Sequence, residues 1–154
     1  MRKRTRKGVV GAAATAMVAT TLVVAPSAEA RPSACNYGRV ICANKATRQI
    51  AFVVDGKTQL VLDARYGSVI RNLETRNGMH RVYWKNRWHV SSLYGQAMPF
   101  SLFFSGGQAI HYSANFARVG YAERSHGCVN LRSYSGAQRL FDMVRVGDRV
   151  YVHS

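Results

Sequence analysis

The sequence predicts a mainly β domain, a sandwich or partial barrel, with one helix near its C-terminal end. Three observations point there. Short β-branched and aromatic runs recur between two-residue or glycine-rich turns, at Asp55-Gly56, Asn77-Gly78 and Ser105-Gly106-Gly107. Helical periodicity is clear in one place, where Ala137, Leu140, Phe141 and Val144 fall at i, i+3, i+4 and i+7. No repeat, low-complexity linker or second composition block interrupts the chain.

Taken in order, residues 1–7 are basic and residues 8–25 are an uncharged run of valine, alanine, glycine and threonine. Small residues around Ala28 and Ala30 follow, so residues 1–30 read as an export signal cleaved after Ala30. The apolar run is short and rich in threonine, which argues against a retained membrane anchor. Cys35 sits too far beyond the run, after Arg-Pro-Ser-Ala, to be a lipoprotein cysteine. The remaining segment, 31–154, is 124 residues long, enough for one domain with a core. It carries 17 Lys+Arg against 6 Asp+Glu, a net charge of +11. That excess suggests an anionic partner, the alternative being a solvated basic surface with no specific partner. The basic residues are scattered and no nucleic-acid motif is present, so an anionic wall polymer outside the cell is the economical target.

Cys35 and Cys42 enclose a six-residue, glycine-containing loop and are expected to form a disulfide, consistent with an oxidising compartment. Residues 48–54 form a strand, Asp55-Gly56 turns the chain, and residues 57–63 return with Leu60 and Leu62 on one face. After Asn77-Gly78, residues 79–85 are expected as one strand and 88–91 as its return. Residues 99–104 are apolar and aromatic. Residues 108–112 then form a short strand that puts His111 on the opposite face from Ile110 and Tyr112. Ser133 or Ser135 caps the helix, Gly147-Asp148 ends it, and residues 149–152 close the chain as a strand.

Cys128 is the cysteine left without a near partner, within Ser125-His126-Gly127-Cys128-Val129-Asn130. In an oxidising space a spare thiol is either buried or used. Glycine on one side lets the backbone turn sharply, and histidine is at hand both in the stretch and 17 residues upstream at His111. The residues therefore suggest a nucleophile, Cys128, with His111 as its base. A histidinium beside the thiol would lower its pKa from about 8.5 toward roughly 3.5–7.5. Backbone N–H groups at Gly127 and Cys128 are natural oxyanion donors. Glu123 or a backbone carbonyl is available to orient the imidazole. The bland alternative is a buried small hydrophobe at Cys128 and a core histidine at His111. A zinc site would use Cys128, His126 and His111, but paired ligand spacings such as C-x-x-C are absent, so no metal and no cofactor is expected.

The stretch from His111 to Asn130 resembles the signature of the L,D-transpeptidases of bacterial cell walls. That signature is a histidine, a spacer, then Ser/Thr-His-Gly-Cys-hydrophobic-Asn. The spacer here, from His111 to Ser125, is 13 residues. The likeness extends to the Asp55-Gly56 hairpin, the Met98-Pro99-Phe100 strand entry, and the final helix and strand. One departure is Thr75-Arg76, where members usually carry proline after the threonine. The resemblance implies an L,D-transpeptidase-type β-sandwich or partial barrel and a minimal, catalytic-domain-only member. It also implies a thioester between Cys128 and the third residue, a diamino acid, of a tetrapeptide stem. D-Alanine is released, and acyl transfer to an amine gives a 3→3 cross-link. His126, Ser125, Gly127 and Asn130 would support the loop, while Arg132 and Tyr112 are candidate substrate contacts.

Rival readings are a non-enzymatic basic wall-binding module and carboxypeptidase or exchange chemistry on the same acyl-enzyme. A sortase-type transferase would show Thr-Leu-x-Thr-Cys, and papain-like hydrolases usually place cysteine before histidine, whereas only His153 follows Cys128.

Overall fold

The structure is a computed structural model that describes residues 31–154. The export signal expected over residues 1–30, with its cleavage site, lies outside the described residues. Among the described residues no helix is long and apolar enough to cross a membrane.

Nine strands form one continuous sheet: β1 (Arg39–Asn44), β2 (Gln49–Val54), β3 (Lys57–Arg65), β4 (Gly78–Arg81), β5 (Trp84–Val90), β6 (Ala97–Ser105), β7 (Gln108–Tyr112), β8 (Val129–Leu131) and β9 (Arg149–His153). Their spatial order is β4-β9-β1-β2-β3-β8-β7-β6-β5. Pairing is antiparallel except for β1–β9 and β7–β8, which are parallel. Of the two architectures the sequence allows, the partial barrel is the one adopted. The two edge strands, β4 and β5, are separated in sequence only by Val82 and Tyr83. A two-residue link reaches no more than about 10 Å, so the sheet must curl until its edges approach. Val82 N–H donates to Asp148 O on the β9 side (2.9 Å), and Tyr83 N–H to Phe103 O on β6 (2.9 Å). This corrects the expectation of one strand over 79–85. The one stretch feeds both edges, and the break falls where its hydrogen-bond partners change.

Inside the curl, Ile41, Ile50, Phe52, Leu102, Ile110, Val129, Leu131 and Val150 form the main core with Ala137 and Leu140 of a helix, α2 (Tyr134–Met143). Ser133 is the cap, its Oγ accepting from Gly136 N–H at 3.0 Å. The Asp55-Gly56 turn has positive φ at both residues (47° and 76°), the geometry that a two-residue hairpin requires. Three elements escaped the sequence reading. The three-residue β8 is too short to show a strand pattern. β1 is buried on both faces, so Val40-Ile41-Cys42-Ala43 shows no alternation to mark it as a strand. α1 (Ala114–Val119), within the spacer between His111 and Ser125, is only six residues long, too short for a helical period to show. Its first turn is capped by Ser113 Oγ, and Phe116 is its buried anchor.

The Cys35–Cys42 disulfide is formed and ties the turn at Ser33–Cys35 to β1, with both sulfurs in a small satellite core beside Val40 and Val53. Replacing both cysteines by serine is expected to lower unfolding free energy by about 2–3 kcal/mol, since so small a loop removes limited chain entropy. Urea denaturation of the double variant against the parent measures it.

Candidate active site

β7 and β8 run parallel in register, with Ile110 opposite Val129, His111 opposite Asn130 and Tyr112 opposite Leu131. Alternation sends Ile110, Val129 and Leu131 into the core and leaves Ala109, His111 and Asn130 on the other face. Cys128, immediately before β8, packs on that same face against Met98, Phe103 and Ala109. The structure therefore brings the expected nucleophile and base to one face of one strand pair.

The loop that delivers the thiol is held from both sides. Ser125 N–H donates to Tyr66 O (3.1 Å), making a bridge between Gly67 and Ser125. Ser125 Oγ donates to Cys128 O and accepts from Gly127 N–H at 3.3 Å. Gly127 has φ +107°, and a Cβ there would lie 2.7 Å from Gln108 Nε2. Gly67 is tighter still, for its Cβ would fall 1.9 Å from Leu73 O and 2.8 Å from Gly127 Cα. Alanine at Gly67 is expected to push the reactive loop out of place and cut turnover by roughly 100-fold, on the scale of a 1 Å misplacement. Steady-state kinetics of a variant with a native circular dichroism spectrum would check this.

Two expectations about electrostatics need correction. The thiol was expected to be lowered toward a thiolate by a neighbouring histidinium. Instead burial pushes the Cys128 thiol up, with a backbone hydrogen bond at Ala109 pulling weakly the other way. Burial likewise pushes His111 down to about 4. The Tyr112 carbonyl opposes this, and His89 and Arg65 reinforce it. The resting pair is a neutral thiol and a neutral imidazole. The Gly127 N–H expected to serve an oxyanion is also already engaged by Ser125 Oγ.

The ring of His111 is held at both nitrogens. Nδ1–H donates to Tyr112 O at 2.7 Å, and Nε2 accepts from Asn130 Nδ2 at 3.0 Å. A backbone carbonyl thus takes the orienting role, and Glu123 is exposed and away from the imidazole's hydrogen bonds. Among the described residues His111 and Cys128 share no hydrogen bond in this resting state. Catalytic contacts of this kind commonly tighten only around substrate.

The remaining candidates divide. Ser125 and Asn130 are buried and hydrogen-bonded within the site. His126 points outward and stacks on Tyr94 (centroids 4.6 Å apart) from the β5–β6 turn. Arg132 is half-exposed, its guanidinium 3.7 Å from Asp63. The Tyr112 side chain lies on the core face, edge-on to Tyr134, so its ring is not brought to Cys128. Among the described residues no three His, Cys, Asp or Glu side chains gather as a metal site.

The sequence offers the Phe103-Phe104 pair as pocket lining or core, and Phe103 does reach the site, whereas Trp84, His89 and Gln108 carried no sequence signal. Phe103, against the thiol, is stacked by Trp84 (4.6 Å) and met edge-on by His89 (4.9 Å), an aromatic wall from β5 and β6. Arg76, the departure from the family pattern, uses the N–H that proline would lack to donate to Gln108 Oε1 (3.0 Å). Gln108 in turn donates to Glu74 O (2.8 Å), fixing the loop that faces Gly127. A cavity of about 350 Å³ opens beside Gly67 between Lys45, Arg48, Tyr121 and Arg124, and neither Cys128 nor His111 lines it.

The curled mixed sheet has its counterparts among solved L,D-transpeptidases. The chain is similar to an L,D-transpeptidase (Yku) from Stackebrandtia nassauensis, with TM-score 0.68 and 27% identity over 76% of this chain and 56% of that one. It is similar to an L,D-transpeptidase from Mycobacterium smegmatis, with TM-score 0.67 and 26% identity over 75% and 58% of the two chains. The LD transpeptidase LdtMt1, solved in complex with imipenem, matches with TM-score 0.65 and 25% identity over 75% and 59%. The chain spans less than two thirds of the length of these solved relatives. No curated protein matches it. The model of the YkuD L,D-transpeptidase catalytic domain matches residues 38–152, and the chain belongs to that family.

Proposed function

We propose that this domain is a peptidoglycan L,D-transpeptidase working outside the cytoplasm, with Cys128 as nucleophile and His111 as its general base and acid. The observation that carries the reading is the placement of both side chains on one face of the parallel β7–β8 pair, within the matched family domain.

Because the thiol is raised and the imidazole lowered, a standing thiolate–imidazolium pair is disfavoured. The proton leaves sulfur as the C–S bond forms. Sγ attacks the carbonyl of the third stem residue and Nε2 takes the thiol proton, displacing the Asn130 amide. The resulting imidazolium, with a pKa near 4, is a strong acid. It protonates the amine of D-alanine as the C–N bond breaks and a thioester remains. An amine on a neighbouring stem then attacks the thioester, its surplus proton passes through His111, and sulfur leaves as the thiol. No cofactor or metal enters this sequence. The Met98–Phe103–Trp84 wall keeps water from the thioester, favouring aminolysis over hydrolysis.

The net charge of +11 over residues 31–154 would hold the domain against anionic wall polymers. Hydrolysis or D-amino-acid exchange on the same acyl-enzyme is the second reading, and a non-catalytic wall-binding module the third. Incubating the purified domain with a disaccharide-tetrapeptide and weighing the products separates them. Loss of D-alanine with a cross-linked dimer supports the transpeptidase. Loss without a dimer selects hydrolysis or exchange. No turnover on stems bearing different diamino acids leaves the binding module.

A further inference from the structure

Arg65, at the end of β3, is the only lysine or arginine that is buried among the described residues, at 4% exposure. It pairs with Asn130 across β3–β8, and Asn130 pairs with His111 across β8–β7, so the three form one row over three strands. Its Nη2 donates to Asn115 Oδ1 (2.7 Å) and to Asn130 Oδ1 (3.1 Å), its Nε to Asn130 Oδ1 (3.3 Å), and its Nη1 to Gly120 O (3.3 Å). The guanidinium lies over the Phe116 ring, 5.1 Å from its centroid. Every acceptor is neutral. Burying a cation without a bonded carboxylate is a costly way to tether a short helix, which a neutral side chain would do with less desolvation.

The row has a direction. A guanidinium only donates, so Asn130 must offer it Oδ1 and turn its NH₂ toward His111. The His111 nitrogen that meets that NH₂ must carry a lone pair, so the ring proton resides on Nδ1, where the Tyr112 carbonyl accepts it. Without Arg65 the Asn130 amide is free to rotate. Oδ1 then competes with the Tyr112 carbonyl for the ring proton, and where it accepts from Nε2–H the lone pair is lost from the side of the ring that meets the row.

We propose that Arg65 is a positioning residue that acts through Asn130 to fix the tautomer of His111, keeping the basic lone pair on Nε2. This rests on the reading of His111 as the base. The charged and titratable groups around the imidazole are Arg65 on β3, His89 on β5 and the Cys128 thiol before β8. A cation at Arg65 also opposes protonation of the ring before substrate arrives.

The test is the protonation pattern of His111 in the whole protein, read by long-range ¹H–¹⁵N NMR of the imidazole, beside kinetics. The wild type should show a single Nδ1–H tautomer. Arg65→Gln, which offers Asn130 either an acceptor or a donor, should show a mixture. Its kcat should fall by at least about tenfold with KM little changed, a misprotonated triad histidine costing up to about 10⁴-fold. Arg65→Lys, again a donor only, should restore the single tautomer and most of the rate. In an Asn130→Ala background Arg65→Gln should cost less than about twofold more, because the relay is already cut. An unchanged Nδ1–H tautomer in folded Arg65→Gln would overturn the proposal, as would an undiminished kinetic cost in the Asn130→Ala background. If Arg65→Gln fails to fold, Asn130→Ala alone decides, since a pure Nδ1–H tautomer there also overturns it. Full activity in a His111→Gln variant would instead sink the base reading, a separate outcome.

Discussion

Replacing Cys128 by alanine is expected to abolish cross-linking and D-alanine release while leaving the domain folded. The sulfur is half-buried among Met98, Phe103 and Ala109, and alanine removes one atom from an already apolar contact. The stability change should be about 1 kcal/mol, against complete loss of a reaction that has no other nucleophile. The wild-type thiol has a further signature. Since burial raises it, the thiolate fraction at neutral pH is small, and alkylation by iodoacetamide should climb roughly tenfold per pH unit through the neutral range. A thiolate–imidazolium pair would instead give a plateau reaching into acid. A flat profile between pH 5 and 8, taken roughly as the accessible range, would contradict the neutral resting pair.

Replacing His111 by glutamine is expected to act on activity and stability in opposite senses. Turnover should fall by roughly 10²–10⁴-fold, the usual contribution of a positioned proton carrier. Stability should improve on the acid side. The folded-state pKa is about 4 against 6.5 in the unfolded chain. As pH falls below 6.5 the unfolded state takes up a proton that the folded state refuses, so the wild type loses stability until pH passes below about 4. At about 1.36 kcal/mol per unit, the loss is roughly 3 kcal/mol. Glutamine has no proton to take up, and the carboxylates contribute equally to both proteins. Urea midpoints at pH 7 and pH 4.5 should therefore diverge less for the variant. Equal divergence would mean that the imidazole is not buried and neutral as the structure has it.

How much of this was legible from sequence depends on the range over which each signal acts. The Asp55-Gly56 hairpin and the Ser133-capped helix were visible because a turn or cap is written in two to four adjacent residues. The Ser125–Asn130 stretch and His111 were visible as a motif with its spacing. β1 was hidden by burial on both faces, and the break at Val82-Tyr83 by one continuous stretch serving both edges of the curled sheet. Arg65 gave no signal because a lone arginine at a strand end looks like any surface cation. Only the β3–β8–β7 register puts it beside Asn130. The inverted electrostatics of Cys128 and His111 were illegible for the same reason, since adjacency on a chain says nothing about desolvation.

The order of strands also governs how the chain reaches this state. β9, the last strand, sits between β4 and β1, and Asp148 just before it receives a two-nitrogen contact from Arg39 across 109 positions of sequence. β1 pairs locally with β2 but waits for its second partner from the far end of the domain, and β4 has no other neighbour in the sheet. The β1–β2–β3 and β5–β6–β7 meanders can zip locally, but the curl cannot close until the C-terminal segment arrives. Such long-range pairing places refolding in the millisecond-to-second range of high-contact-order domains. It also makes the final strand, remote from the thiol, the piece on which assembly of the reactive face depends.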